Sequence, residues 1–181
     1  SGRADLAGVV GRDEAGQTLR ALLASERIGC RGLVSTARRH TTTKMRIVAG
    51  QQQIVRLDRE SRGEIDEATT RTLLDRLDRA LPGIDGVVVG DYGKGVVTQA
   101  LLDGIRDRCK RAGCWLSVDP KPVHRLDLRG LSLITPNRKE AFELAGIEDS
   151  ARATDPMADR PLQKAVQRLQ ETLRPALLLV T

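Results

Sequence analysis

Aromatic residues are nearly absent from this chain. Only Tyr92, Trp115 and Phe142 occur among 181 residues, too few for the stacking platform that proteins use to bind single-stranded nucleic acid. The net charge is +6, but the basic residues alternate with acids in stretches such as "RTLLDRLDRA" and "DGIRDRCKRA", as they do on solvated helix faces. We therefore predict no nucleic acid partner. A phosphorylated small molecule accounts for the positive charge more economically.

Long hydrophobic runs and paired cysteines are also lacking. No stretch approaches the ~20 apolar residues that span a bilayer, and no signal-peptide pattern opens the chain, which begins with serine rather than methionine. Cys30, Cys109 and Cys114 form no CxxC pair, so we interpret them as reduced thiols. The two histidines lack metal-ligand spacing, which argues against zinc. These absences predict a cytoplasmic protein with no membrane partner.

The chain does contain a regular alternation of apolar strands and amphipathic helices. The strands are expected at 6–11, 86–90, 114–119, 131–135 and 176–180. The helices are expected after Asp13, from Asp66 to before Pro82, and over 98–112, 137–145 and 161–173. Such alternation predicts an α/β fold in which a parallel sheet is covered on both faces. We expect one domain over 1–181, with a flexible loop at 149–160.

Residues 41–60 depart from this alternation. "TTTKMRIVA" and "QQIVRLDRE" are two β-rich stretches joined through Gly50, and both are too polar for the buried sheet. They predict an antiparallel pair that stands off the sheet as a flap. Ile47, Val48 and Ile54 should then lie on an exposed or interfacial surface.

Polar residues cluster where three predicted strands end. In an open α/β sheet, ligands bind outside the carboxyl ends of the strands. This rule selects "GDYGKG" (90–95), "DPK" (119–121) and "NRKE" (137–140), which together supply Asp91, Lys94, Asp119, Lys121, Asn137 and Glu140. Carboxylates with lysines suit a magnesium–phosphate ligand, and the glycines of "GDYGKG" allow backbone N–H groups to approach a phosphate.

Each of these residues also has a simpler interpretation, which the sequence leaves open. Asp91 is a possible helix cap, Asp119 with Pro120 is a possible turn, and Glu140 is favoured in a first helical turn by the helix dipole. The chain has no Walker A motif, no GxGxxG after its first strand and no nucleophile elbow. P-loop, classical dinucleotide-binding and serine-hydrolase functions are therefore disfavoured.

Five segments, in order, resemble a known family. They are "GVVGRDEAG" (8–16), "TTTKMRIVAGQQQIVRLDRE" (41–60), "GDYGKGVVT" (90–98), "VDPK" (118–121) and "LITPNRKE" (133–140). Together they are similar to the ribokinase-like (PfkB) sugar kinases, especially those that phosphorylate heptose 7-phosphate to the 1,7-bisphosphate for ADP-heptose and lipopolysaccharide synthesis. The resemblance implies a three-layer α/β/α fold with a β-lid, ATP as phosphoryl donor and Mg²⁺ as cofactor.

The resemblance also implies roles for individual residues. Asn137 and Glu140 match the family's Asn-x-x-Glu motif for Mg²⁺ and the ATP phosphates, with Asp119 near the same metal and Lys121 facing phosphate. Arg138 and Lys139 are then expected to be solvated. The lid at 41–60 is expected to contact the sugar phosphate and to form a homodimer. The substrate residues assigned on this basis are Lys44, Arg46, Gln53, Arg56, Asp91 and Lys94.

Two parts of the family pattern are missing from this sequence. The glycine-rich sugar site is expected before residue 1, and the Gly-Ala-Gly-Asp segment with the catalytic base is expected beyond Thr181. We therefore expect a central kinase fragment that is inactive by itself. Two alternatives remain: a kinase of the same fold acting on fructose or ribose, and a non-catalytic module that binds nucleotide or a partner through the sheet rim.

Overall fold

A computed structural model describes residues 2–123 and 125–181. The strands are β1 (Asp5–Gly11), β2 (Gly29–Thr36), β3 (Thr43–Ala49), β4 (Gln52–Arg59), β5 (Gly86–Gly90), β6 (Trp115–Asp119), β7 (Leu133–Ile134) and β8 (Leu177–Leu178). The helices are α1 (Glu14–Ser25), α2 (Glu67–Ala80), α3 (Gln99–Ala112), α4 (Arg138–Ala145) and α5 (Arg160–Leu173). Contacts divide these elements into two compact units, so the expectation of a single domain stays a prediction.

The first unit comprises the residues up to Ala80 together with Lys94–Val96. Its strands β1 and β2 pair in parallel, as expected when a helix connects them. Asp13 caps α1 by accepting a hydrogen bond from the Gly16 N–H at 2.9 Å, as the sequence predicted. The sequence pattern did not predict β2, although Leu33 and Val34 of this strand lie in the core.

The predicted flap is an antiparallel hairpin. Strands β3 and β4 pair with each other in a separate two-stranded sheet, and every residue of both strands is exposed. Ile47, Val48 and Ile54 are 43%, 59% and 60% exposed. The prediction of an antiparallel pair with exposed apolar side chains is confirmed.

The second unit contains Leu81–Gly93 and the residues from Val97 onward. Its four strands are all parallel, in the order β5-β6-β7-β8. Helix α3 begins after its cap Thr98, whose side chain accepts from Leu101 N–H, and ends at Gly113 in the left-handed conformation. The carboxyl ends of β5, β6 and β7 therefore meet at one edge of this sheet.

Helices α4 and α5 pack against each other beside this sheet. Their shared core contains Ala141, Phe142, Ala145, Ala165 and Leu169, each at most 3% exposed. The segment at 149–160, predicted as a flexible loop, contains a 3-10 turn at Pro156–Ala158 and a buried carboxylate at Asp159. No helix among residues 2–123 and 125–181 has the length and apolar character needed to cross a membrane.

Candidate functional site

The ends of β5 and β6 bring two carboxylates to the same edge. Gly90 is in register with Asp119, and the Asp91 N–H donates to the backbone carbonyl of Asp119 at 3.0 Å. Asp91 does not cap a helix: its Oδ1 accepts from the Gly93 N–H at 2.8 Å. Its Oδ2 is buried and has no hydrogen-bond partner in the described part of the chain. An unpartnered buried carboxylate oxygen points to a ligand or a water.

The next strand delivers Asn137 and Glu140. They form a capping box at the start of α4: Asn137 Oδ1 accepts from the Glu140 N–H at 3.0 Å, and Glu140 Oε2 accepts from the Asn137 N–H at 3.0 Å. The other Glu140 oxygen, Oε1, accepts from Lys121 Nζ at 2.9 Å. This reciprocal pairing is how the Asn-x-x-Glu spacing stabilises a helix start. Because Glu140 is only 6% exposed, Lys121 supplies a countercharge for a buried carboxylate.

The acidic side chains of this edge influence one another. Burial raises the pKa of Asp119, and the negative charges of Glu140 and Asp91 raise it further, while Lys121 lowers it. The hydrogen bond to Glu140 raises the pKa of Lys121. A divalent cation stabilises carboxylates that repel one another in this way.

These residues fit a hydrated magnesium ion. The donor set consists of oxygens, and the unpartnered Asp91 Oδ2 is available for coordination or for a bound water. The described residues contain no group of three or more His, Cys, Asp or Glu side chains arranged to hold a metal ion by themselves. A magnesium ion held mainly by waters and by the phosphates of a nucleotide is compatible with that arrangement, because Mg²⁺ usually keeps several waters.

Lys94 belongs to the first unit and has a partner there. Its Nζ donates to Glu60 Oε1 at 2.6 Å, and this hydrogen bond is the largest cause of the lowered pKa of Glu60. Arg39 donates to the backbone carbonyls of Lys94, Ser61 and Gly63. The loop at 94–96 is thus tied to the chain on either side of the hairpin.

The hairpin sorts its side chains onto two faces. Lys44 is opposite Asp58 and Arg46 is opposite Arg56, so these four share one face, because opposite residues of an antiparallel pair point the same way. Gln53 lies beyond a register shift at Ile47/Val48, where it is opposite Val48. Three of the four hairpin residues that the sequence assigns to the sugar phosphate therefore share a face.

Sequence reasoning was wrong about Arg138. It predicted solvated side chains for Arg138 and Lys139, and Lys139 is indeed 84% exposed. Only 17% of the Arg138 side chain is exposed, because it forms ion pairs with Asp149 and Asp159. Those partners lie 11 and 21 residues further along the chain, so no local pattern around Arg138 pointed to them.

Comparison with models of known protein families identifies the family, and the match covers the whole sequence. A sequence profile of the pfkB family carbohydrate kinases matches residues 1–181. The chain belongs to this family. The bifunctional protein HldE of Desulfatibacillum aliphaticivorans is 35% identical over 179 residues, which are 99% of this chain and 35% of that protein. The bifunctional protein HldE of Caulobacter vibrioides is 39% identical over 171 residues, 94% of this chain and 35% of that protein.

Solved structures of PfkB-type kinases share the fold. A mutant of phosphofructokinase-2 from Escherichia coli superposes with a TM-score of 0.70 at 20% identity, covering 99% of this chain and 56% of that one. Arabidopsis thaliana ribokinase, complexed with ribose and ATP, gives 0.64 at 13% identity, covering 98% and 55%. The predicted ribokinase-like α/β fold, with a mostly parallel sheet and an antiparallel pair, is confirmed. This PfkB chain spans about a third of the length of its curated relatives and about half that of the solved ones.

Proposed function

We propose that this chain is part of a kinase that transfers a phosphoryl group from ATP to a sugar phosphate, with Mg²⁺ as cofactor. The observation that carries the proposal is the group of Asp91, Asp119 and Glu140 carboxylates in the second unit, at the carboxyl ends of parallel strands. In this class of fold, that edge is where ligands bind. Membership of the PfkB family supports the same function.

Four residues of this edge have a defined part in the proposal. Asp119 and Glu140 would hold the magnesium ion directly or through its waters, and Lys121, which already pairs with Glu140, would face a nucleotide phosphate. Asn137 keeps the first turn of α4 formed and thereby holds the Glu140 carboxylate beside Lys121. When bound, Mg²⁺ supplies charge neutralisation for the transferred phosphoryl group.

The hairpin supplies an argument about the second substrate. Arg46 and Arg56 lie opposite each other on the same face as Lys44, and like charges directly opposite destabilise a strand pair. Asp58, on the same face, offsets part of this charge through its ion pair with Arg56 at 3.0 Å. A phosphorylated sugar bound on this face supplies further countercharge, whereas an unphosphorylated sugar does not. The resemblance of segments 41–60, 90–98 and 133–140 to heptose 7-phosphate kinases favours heptose 7-phosphate as that substrate. We also propose that the apolar face of the hairpin joins two copies in a homodimer.

Isothermal titration calorimetry of the chain with ATP, with and without Mg²⁺, tests whether the chain binds the magnesium–nucleotide complex. Magnesium should increase the affinity for ATP, and Glu140→Gln should remove most of that increase while keeping the helix, since glutamine is a fair helix former. Loss of one such electrostatic group corresponds to an effect on the order of 10²-fold in turnover of an intact kinase. Glu143→Gln, an exposed carboxylate on the same helix, is the matched control. Magnesium-independent binding, or equal losses in both variants, would contradict the assignment.

Titration of the whole kinase, of which this chain is proposed to be a part, with sugar phosphates tests the substrate. Heptose 7-phosphate should bind more tightly than ribose or fructose, and Arg46→Met combined with Arg56→Met should abolish the preference. Equal binding of the phosphorylated and unphosphorylated sugars would favour a ribose- or fructose-type kinase. Nucleotide binding with no sugar binding at all would favour a non-catalytic nucleotide-binding module.

A further inference from the structure

Arg138 holds the first turn of α4 from the side opposite to Glu140. Its Nε and Nη2 donate to the two carboxylate oxygens of Asp149 at 2.8 and 2.5 Å, and its Nη1 donates to Asp159 at 2.7 Å. Nη2 also donates to the carbonyl of Ala151 at 2.8 Å, and the guanidinium carbon lies 4.9 Å from the centroid of the Phe142 ring. The whole fork of the guanidinium is therefore engaged.

Asp159 makes this contact important for the second unit. Its side chain is 1% exposed, caps α5 by accepting from the Leu162 N–H at 3.0 Å, and accepts from the Ala153 N–H at 3.2 Å. The hydrogen bond from Arg138 is the largest cause of its lowered pKa. A carboxylate this buried is costly without a countercharge. Arg138 thus links the start of α4 to the start of α5.

The neighbours of Arg138 in the chain are the residues of the proposed nucleotide site. Asn137 precedes it as the helix cap, and Glu140 follows two positions later. First helical turns are where helices fray, and here the turn is held on one side by Lys121 and the capping box and on the other by Arg138. Displacement of a positioned group by about one ångström is enough to lose a large part of its effect.

We propose that Arg138 is a positioning residue: anchored by Asp149 and Asp159, it fixes the first turn of α4 and thereby the Glu140 carboxylate that serves the magnesium–nucleotide complex. This inference rests on the proposed function. It requires arginine rather than lysine, because the guanidinium makes four hydrogen bonds here, two of them to the two oxygens of Asp149, whereas lysine has three donors and no fork geometry.

Amide hydrogen exchange of the 181-residue chain, at a temperature well below its unfolding transition, gives the first test. In Arg138→Met the amides of Glu140 and Ala141 should exchange at least about tenfold faster, because an unpaired buried charge strongly destabilises its surroundings. Asp159→Asn should have the same effect, since asparagine keeps the cap of α5 but loses the charge. Lys139→Met, an exposed neighbour on the same turn, should leave both amides unchanged.

Magnesium-dependent ATP affinity of the same variants gives the second test, which a purely structural role would not affect. Arg138→Met should weaken this affinity about tenfold, which is the lower end of what residues that hold metal ligands contribute. Arg138→Lys should have an intermediate affinity, and Lys139→Met should equal the wild type. If Arg138→Met does not fold, Arg138→Lys carries both tests.

The outcomes separate this inference from the proposed function. A wild-type chain that binds ATP without regard to Mg²⁺ overturns both. A wild-type chain that binds Mg²⁺-ATP, combined with unchanged amide exchange in Arg138→Met, overturns only the positioning role. Faster exchange with unchanged affinity also overturns it, because Arg138 would then stabilise the helix without serving the ligand.

Discussion

Asp13 joins three segments of the first unit through one carboxylate. It accepts hydrogen bonds from the Gly16 N–H at the start of α1, from the Thr41 N–H at 2.9 Å and from the Thr41 hydroxyl at 2.6 Å. Thr41 in turn accepts from the Gly11 N–H at the end of β1. The hydrogen bonds from Thr41, and then the one from Gly16, lower the pKa of Asp13 from 3.8 to about 2.

The stabilisation from Asp13 should therefore depend on pH in the acid range. Because the folded pKa lies below the unfolded value of 3.8, this contribution is complete above that value and is lost as the pH falls toward about 2. Asp13→Asn should lower the midpoint of urea unfolding at neutral pH and flatten its dependence below pH 3.8. Glu14→Gln, at the next position and exposed, is the control. An unchanged acid slope in Asp13→Asn would contradict this role.

Gly95 is required for two reasons that can be separated. Its φ of +77° is unfavourable for other residues, and an added Cβ would lie 2.4 Å from the carbonyl oxygen of Gly63. Gly50 has a similar φ of +59° but open space around it. Gly50→Ala should cost about 1 kcal/mol of unfolding free energy, as positive φ alone does, and Gly95→Ala should cost more, because backbone must move. Equal losses in thermal or urea unfolding would show that the close contact does not matter.

For single residues, the sequence predicted contacts between neighbours in the chain and missed contacts between residues far apart in the chain. Asp13, Asp66 and Thr98 were correctly placed at helix starts, because a cap and its N–H partner are three residues apart. Glu140 was correctly placed in a first turn, but its pairing with Lys121 depends on the tertiary fold. The magnesium and substrate roles of these residues stay predictions.

The two faces of the β3–β4 hairpin carry different side chains, apolar on one and charged on the other. Met45 is opposite Leu57 and Ile47 is opposite Val55, so these four apolar side chains share the face that Lys44 and Arg46 do not occupy. All four are at least 41% exposed. A solvent-exposed face of this composition is typical of an interaction surface.

If this face joins two copies, its apolar side chains should control the oligomeric state. The double variant Ile47→Ser, Leu57→Ser should weaken association by roughly 3 kcal/mol, about a hundredfold in Kd, from the apolar area no longer buried. Lys44→Ser, on the opposite face, should not. Sedimentation velocity over a concentration series measures this, with circular dichroism to verify folding. A wild-type chain that stays monomeric throughout would refute the homodimer proposal.

Element prediction succeeded where apolar runs were continuous. Strand β5, "GVVVG", was placed at 86–90 as observed, because an unbroken apolar run bounded by glycines is typical of a strand in a parallel sheet. Strand β2 was missed because "GCRGLVST" mixes glycine, arginine and serine with only two core residues. Strands β7 and β8 are shorter than predicted, at two residues each.

The four-stranded sheet of the second unit has unequal faces. Val89, Leu116, Val118 and Ile134 point to one face and are at most 8% exposed. Val88, Trp115, Leu177 and Leu179 belong to the other face by alternation and register, and they are 42% to 78% exposed. Parallel sheets are normally covered on both faces.

The chain should therefore behave as a protein with open apolar surface. We expect it to bind a hydrophobic dye in its folded state, and we expect iodide to quench Trp115, the single tryptophan. Val88→Thr should reduce dye binding without lowering stability, because it removes exposed apolar area only. Buried Val89→Thr should instead destabilise the fold. A folded chain that binds no dye and shields Trp115 from iodide would contradict this picture.

The path of the chain between its two compact units limits how they can be separated. The backbone passes from one unit to the other after Ala80, returns at Lys94 and leaves again after Val96. Lys94–Val96 is bound inside the first unit through the Glu60 ion pair and through Gly95, whose carbonyl accepts from the Ile65 N–H. A single protease cut near residue 80 therefore leaves two covalent crossings intact, and an excised fragment ending there lacks a piece of its own interior. Neither unit can therefore be excised as a complete unit by cutting the chain at one position.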